Sequence, residues 1–201
     1  MNVQVKAVST LLLRKAVLYN ESNSELAQFA QLTKQSQTDT QSSVYLIKDF
    51  NDYLPDAQKI LSDIKKGTTL IFYELGAGDY DILDETVHIK NCGMLPLNFV
   101  SRDTNHELVH DFLPTDFRFW YDEKEKMITP LLSTTFISEN KDYQPILMSA
   151  NMNKHGEWQP ELACGERKYG EGKIIICNLK LVDRLATNPV AKTFAQRLLM
   201  Y

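Results

Sequence analysis

Apolar and polar positions along this chain follow two periods. Ala16-Val17-Leu18-Tyr19, Val44-Tyr45-Leu46-Ile47 and Thr68–Leu75 are short runs dense in aliphatic, β-branched and aromatic residues, the pattern of buried strands. Between them the spacing is helical. Leu26, Phe29, Ala30 and Leu32 share one face of a helix running from a Ser24 cap to about Thr38. Ala57, Ile60, Leu61 and Ile64 make the stripe of a second helix, with Pro55 in its first turn and Gly67 as its stop. A β-α-β-α-β opening at this spacing predicts parallel strands joined by right-handed crossovers.

The middle of the chain reads differently. Val87–Lys90, Leu97–Arg102, Ile128–Ile137 and Pro145–Ser149 have strand character, with few long helical stretches between them. Glu161–Arg167 and Lys173–Leu179, joined through Gly170-Glu171-Gly172, predict a β-hairpin. Asn188 and Pro189 open a last helix carrying Val190, Ala191, Phe194, Leu198 and Leu199. The expected organisation is an arm or linker over residues 1–14 and one α/β domain over 15–201, its sheet open, mainly parallel and flanked by helices.

Composition narrows the function classes. The chain has 201 residues, 43% hydrophobic and 24% charged, enough for one sizeable core. Its net charge of −4 is spread without a basic patch, which argues against a nucleic-acid partner. No apolar run approaches the ~18 residues of a membrane span, and Arg14 and Lys15 cut short the apolar Leu11–Leu13. Cys92, Cys164 and Cys177 are odd in number and lack CxxC spacing, which suits reduced thiols and a cytoplasmic protein. Met1 fits either a fragment or a free-standing domain.

Three motifs bear on chemistry. His106-Glu107-Leu108-Val109-His110 matches HExxH, which on a helix puts two zinc ligands on one face beside a general base. Asp111 puts a charge where zinc-protease helices carry an uncharged residue, the nearby Pro114 leaves room for barely two turns, and a third ligand would have to come from a residue such as Glu123 or Glu125. A short surface helix with Leu108, Val109 and Phe112 packed inward accounts for the same residues, so no metal is expected; a metal-dependent hydrolase at His106 and His110 is the alternative. Gly76-Ala77-Gly78 follows the third strand, where a nucleophile elbow would hold Ser or Cys between glycines. The sequence there is Glu74-Leu75-Gly76-Ala77-Gly78-Asp79, without a nucleophile. Phe117-Arg118-Phe119-Trp120-Tyr121 and Trp158 are a dense aromatic set, with Asp116, Asp122 and Asn151 as polar neighbours of the kind that accompany sugar stacking; burial in the core explains them as well.

Several segments taken in order resemble a known family. They are Lys90–Pro96, Phe99–His106, Asp116-Phe117 with Trp120-Tyr121-Asp122, Ile128–Leu132, Leu162–Glu166 with Gly170–Lys173, and Asn188–Ala191. Together they are similar to the C-terminal class I glutamine amidotransferase-like domain, of the trehalose-utilisation branch, appended to β-galactosidase-like bacterial family 2 glycoside hydrolases. The resemblance implies a flavodoxin-like, amidotransferase-like fold and a non-catalytic role in interdomain packing, oligomerisation or carbohydrate contact. Its partners would be the other domains of a glycosidase chain, with homo-oligomers in prospect. It implies no cofactor. A working amidotransferase needs an elbow Cys and a late His–Glu pair, whereas this chain has Gln159-Pro160-Glu161.

If a ligand binds, an open α/β sheet places it outside the carboxyl ends of the strands. Gly76 and Gly78, Arg102 and Asp103, His106, Asp116 and Trp120 are expected to converge there, Trp120 as a stacking face. With Arg102 as the one cation, that set suits a polyhydroxylated ligand better than a phosphate.

Overall fold

A computed structural model describes residues 15–18, 25–35, 43–92, 105–118, 120–152 and 155–201. The opening follows the pattern read from the sequence. Strand β1 (Lys15–Leu18) leads to helix α1 (Glu25–Gln35), strand β2 (Ser43–Ile47), helices α2 (Phe50–Tyr53) and α3 (Ala57–Ile64), and strand β3 (Thr69–Tyr73). Pro55 falls in a short 3-10 turn between α2 and α3. The strands β1, β2 and β3 are neighbours and parallel, as expected.

Beyond Tyr73 the expectation of a mainly parallel, helix-flanked, flavodoxin-like sheet fails. The chain does not enter a third crossover helix. It turns through Glu74, which has a positive φ of 50°, into the antiparallel pair β4 (Gly78–Ile82) and β5 (Glu85–Asn91). Later come β6 (Trp120–Asp122), β7 (Met127–Thr129), β8 (Thr134–Ser138), β9 (Gln144–Met152), β10 (Trp158–Tyr169), β11 (Gly172–Cys177) and helix α4 (Pro189–Met200). The main sheet runs β1-β2-β3-β11-β10-β8-β5-β4, with β9 also on β10, and it curls into a mixed half-barrel. Among the described strands only β1, β2, β3 and β11 run parallel; β10 and the strands beyond it pair antiparallel. The physical reason lies in the connections. A parallel neighbour requires a crossover of about a dozen residues, usually helical, and the segments joining the middle strands carry no long helical period.

Other boundaries shift for local reasons. The run Ile128–Ile137 is broken at Pro130 into β7 and β8, because proline cannot donate to a ladder. The expected strand Leu97–Arg102 lies outside the described residues. The hairpin β10–β11 forms as predicted, Tyr169 opposite Gly172, with Gly170 at φ 65°. A Cβ on Gly170 would stand 2.7 Å from the Lys65 Cα, and one on Gly172 would collide with the carbonyls of Ile64 and Thr68. The hairpin tip therefore packs directly on the end of α3, a fit that only glycine allows.

The parallel half is buried on both faces, which explains its unbroken apolar runs. Val44, Leu46, Ile71, Tyr73, Ile175 and Cys177 point into one core with α1, α4, Phe112, Phe117 and Trp120. Tyr45, Ile47, Leu70, Phe72, Ile174 and Ile176 point the other way, onto α2 and α3 and the side chains of Val87, Ile89 and Phe136. No helix among the described residues is long and apolar enough to cross a membrane.

Candidate functional site

A cavity of about 470 Å³ opens at the carboxyl ends of β2, β3 and β11. Three strand-end residues reach it: Lys48 after β2, Glu74 after β3 and Asn178 after β11. The remaining wall comes from the β6–β7 hairpin through Asp122, from Thr134 at the start of β8, and from the segment holding Lys180 and Arg184 ahead of α4. The size lies within the range of small-molecule sites.

Four charged groups in the wall, Lys48, Glu74, Asp122 and Arg184, have local partners. Glu74 accepts a hydrogen bond from the Val182 N–H at 3.0 Å, and Lys48 Nζ lies 4.0 Å from its other oxygen. Burial still pushes the Glu74 carboxyl above the usual carboxylate range, outweighing the Val182 N–H and the Lys48 charge. Arg184 Nη1 stands 2.8 Å from Asp122 Oδ2, and its Nη2 donates to Thr129 Oγ1 at 2.6 Å. The N–H of Glu125, first of all, and the Arg184 charge hold the Asp122 carboxyl below its ordinary value despite burial. Thr134 Oγ1 donates to the Leu75 carbonyl at 3.1 Å, tying the start of β8 to the turn after β3. Asn178 differs. It is 2% exposed, and neither Nδ2 nor Oδ1 has a hydrogen-bond partner among the described residues.

Of the residues expected here, Gly76 lines the cavity. Gly78 does not; it begins β4, opposite Ile89. Arg102 and Asp103 lie outside the described residues. Asp116 accepts the Leu113 N–H at 2.7 Å, and its carbonyl accepts the Trp120 indole N–H at 2.9 Å. Trp120 is 1% exposed and packs on Phe117, so it presents no open face for stacking. His106 stands elsewhere. Its Nδ1 accepts the Leu108 N–H at 3.3 Å, and its Nε2 faces Glu166 Oε1 at 3.5 Å and the Tyr201 hydroxyl at 3.4 Å. The convergence of His106, Asp116 and Trp120 on the strand-end cavity is therefore not what the fold produces: none of the three lines it.

The HExxH segment forms a single 3-10 turn, Glu107–Val109, and not an α-helix. His110 points to solvent with its side chain 79% exposed, beside Asp111. Among the described residues no three His, Cys, Asp or Glu side chains are grouped as a metal site would require. Glu123 pairs with Lys126 instead.

Sequence reasoning missed Lys48, Asn178, Lys180 and Arg184. The signal for the first two was present: each is the polar residue that directly follows an apolar strand, at the end where open α/β sheets place ligand contacts. Lys180 and Arg184 sit in an irregular segment whose path only the tertiary structure gives.

No protein-family model matches this chain, and no curated protein sequence matches it either. Among solved structures it is similar to the β-galactosidase from Rahnella sp. R3, at 9% identity and a TM-score of 0.42, over 80% of this chain and 22% of that one. It is also similar to the β-galactosidase from Bacillus circulans sp. alkalophilus, at 10% identity and a TM-score of 0.41, over 86% of this chain and 25% of that one. The chain thus spans a quarter or less of the length of either protein.

Proposed function

We propose that this chain is a non-catalytic accessory domain of a β-galactosidase-like glycosidase of family 2, serving interdomain packing, oligomerisation or carbohydrate contact, in the cytoplasm. The observation that carries the non-catalytic reading is Glu74. It opens the turn after β3, where a nucleophile elbow would hold Ser or Cys between glycines and this chain has Ala77 between Gly76 and Gly78, and its carboxylate is committed to the Val182 N–H. The turn runs on into strand β4 and not into a helix, so no helix N-terminus lies behind it to stabilise an oxyanion. The late Glu161 is equally committed: it accepts from Thr135 Oγ1 at 2.5 Å inside the sheet, and Gln159 stands where a His would be needed.

The parent enzyme class rests on the ordered segments from Lys90 to Ala191. Packing against a neighbour is supported by apolar side chains left in solvent. Trp158 and Met152 pair across β9 and β10, and Tyr121, Met127 and Ile128 stand exposed on the β6–β7 hairpin. Incubation of the purified chain with a chromogenic β-galactoside and, separately, with L-glutamine tests the reading. No turnover is expected of either; hydrolysis that survives repurification would overturn it.

A further inference from the structure

Asn178 sets a problem that the folded chain leaves unsolved. A buried carboxamide without partners costs free energy, and such groups in folded proteins are nearly always satisfied. Asn178 is held at the end of the central strand β11, its backbone N–H fixed to the Ala163 carbonyl at 3.0 Å, and it lines the strand-end cavity. Arg184, in the same wall, leaves its Nε–H without an acceptor among the described residues. The unmet groups are thus the Asn178 Nδ2 and Oδ1 and the Arg184 Nε, buried atoms of two residues that line one cavity.

We infer that this cavity is a binding site for a neutral polyhydroxylated ligand, with Asn178 reading a pair of adjacent hydroxyls. One hydroxyl donates to Oδ1 while its neighbour accepts from Nδ2, and a further ligand oxygen accepts from Arg184 Nε. An ionised carboxylate or a phosphate-ester dianion, carrying acceptors alone, would leave Oδ1 unmet. The charges agree. Lys48, Lys124, Lys180 and Arg184 are matched in number by Glu74, Asp122, Glu125 and Asp183, so the wall carries no formal excess to attract an anion. The inference rests on the accessory-domain reading only for the choice of sugars as probes.

Thermal unfolding of the full 201-residue chain with D-galactose, D-glucose, inorganic phosphate or L-glutamine provides the test. A ligand that binds the native state raises Tm with its concentration. A saturable rise is expected with one or both sugars, absent with phosphate and with L-glutamine. Asn178→Leu should abolish the rise while leaving the unliganded Tm unchanged or higher, since it removes a buried group that has no partner in the free protein. Should that variant fail to fold, Gly76→Leu replaces it. Gly76 is exposed in the cavity wall, where a Cβ meets nothing nearer than the Tyr80 hydroxyl at 4.0 Å, and the added side chain should reduce the rise by obstruction. The site is overturned if neither sugar shifts Tm, if phosphate or L-glutamine shifts it as much, or if Asn178→Leu keeps the full effect. Failure here leaves the accessory role standing, and galactoside hydrolysis by the chain would overturn that role without touching the site.

Discussion

His106 Nε2 faces Glu166 Oε1 at 3.5 Å in a nearly closed pocket, with Lys173 Nζ 3.8 Å from the second carboxylate oxygen. Burial alone would raise the Glu166 carboxyl, but the His106 hydrogen bond and the Lys173 charge outweigh it and hold the group below its ordinary value. A carboxyl lowered by folding stabilises the native state above its unfolded pKa, about 4.3 for Glu, and that contribution is lost as pH falls through the folded value. Glu166→Gln should cost roughly 1–3 kcal/mol at neutral pH. Urea unfolding between pH 7 and pH 3 should show the gap between native protein and variant closing only below about pH 4.3. A gap that stays constant over that range would show that the Glu166 charge is not what stabilises.

The same histidine bears on metal binding. His106 is used as the cap of a 3-10 turn and as the partner of Glu166, while His110 points outward. After dialysis against zinc and removal of excess, elemental analysis should find no stoichiometric metal, and His110→Ala should leave Tm within about 1 °C, as surface substitutions away from such features do.

Glu74 runs the opposite way from Glu166. Its carboxyl is raised by burial, so ionisation disfavours the folded state, and the stability it allows at low pH diminishes as pH rises through the folded pKa. Glu74→Gln keeps an oxygen for the Val182 N–H and removes the buried charge. The variant should be modestly more stable than the native protein at pH 7, and equal to it well below the unfolded pKa of about 4.3. A loss of stability at pH 7 would mean that the 4.0 Å pairing with Lys48 outweighs the desolvation.

Trp120 is a core residue. Trp120→Ala should destabilise by about 3–5 kcal/mol, seen as a large fall in the urea midpoint. A change below about 1 kcal/mol would contradict its 1% exposure.

The parts of the fold that the sequence disclosed are those where period and connection agree. Leu70–Tyr73 and Ile174–Cys177 are buried on both faces, so their apolar runs are unambiguous, and Gly67, Gly170 and Asn188 mark real boundaries. The turn at Glu74 escaped because its positive φ sits on a residue that seldom adopts one. Strand β4 escaped because Gly78, Asp79 and Asp81 are poor strand formers carried by pairing with β5. Of the site, Gly76 was legible from its position after a strand. Trp120 was misread because an aromatic beside carboxylates looks the same whether it stacks on a ligand or fills a core. Asn178 shows its significance only once its lack of partners can be seen.

Strand β11 lies between β3 and β10, so the middle of the sheet is supplied by a segment far downstream of β3 in the chain. Until it arrives, β3 has an open edge, and Thr69 waits for Lys173 while Tyr73 waits for Cys177. Pairing across so long a stretch of chain makes for slow folding and a lengthy interval in which an apolar edge is open to wrong partners. The opening β-α-β-α-β unit, although the most local part of the architecture, therefore does not complete its own sheet. Protein truncated before residue 172 should be captured by chaperones or aggregate, and should not accumulate as a folded half.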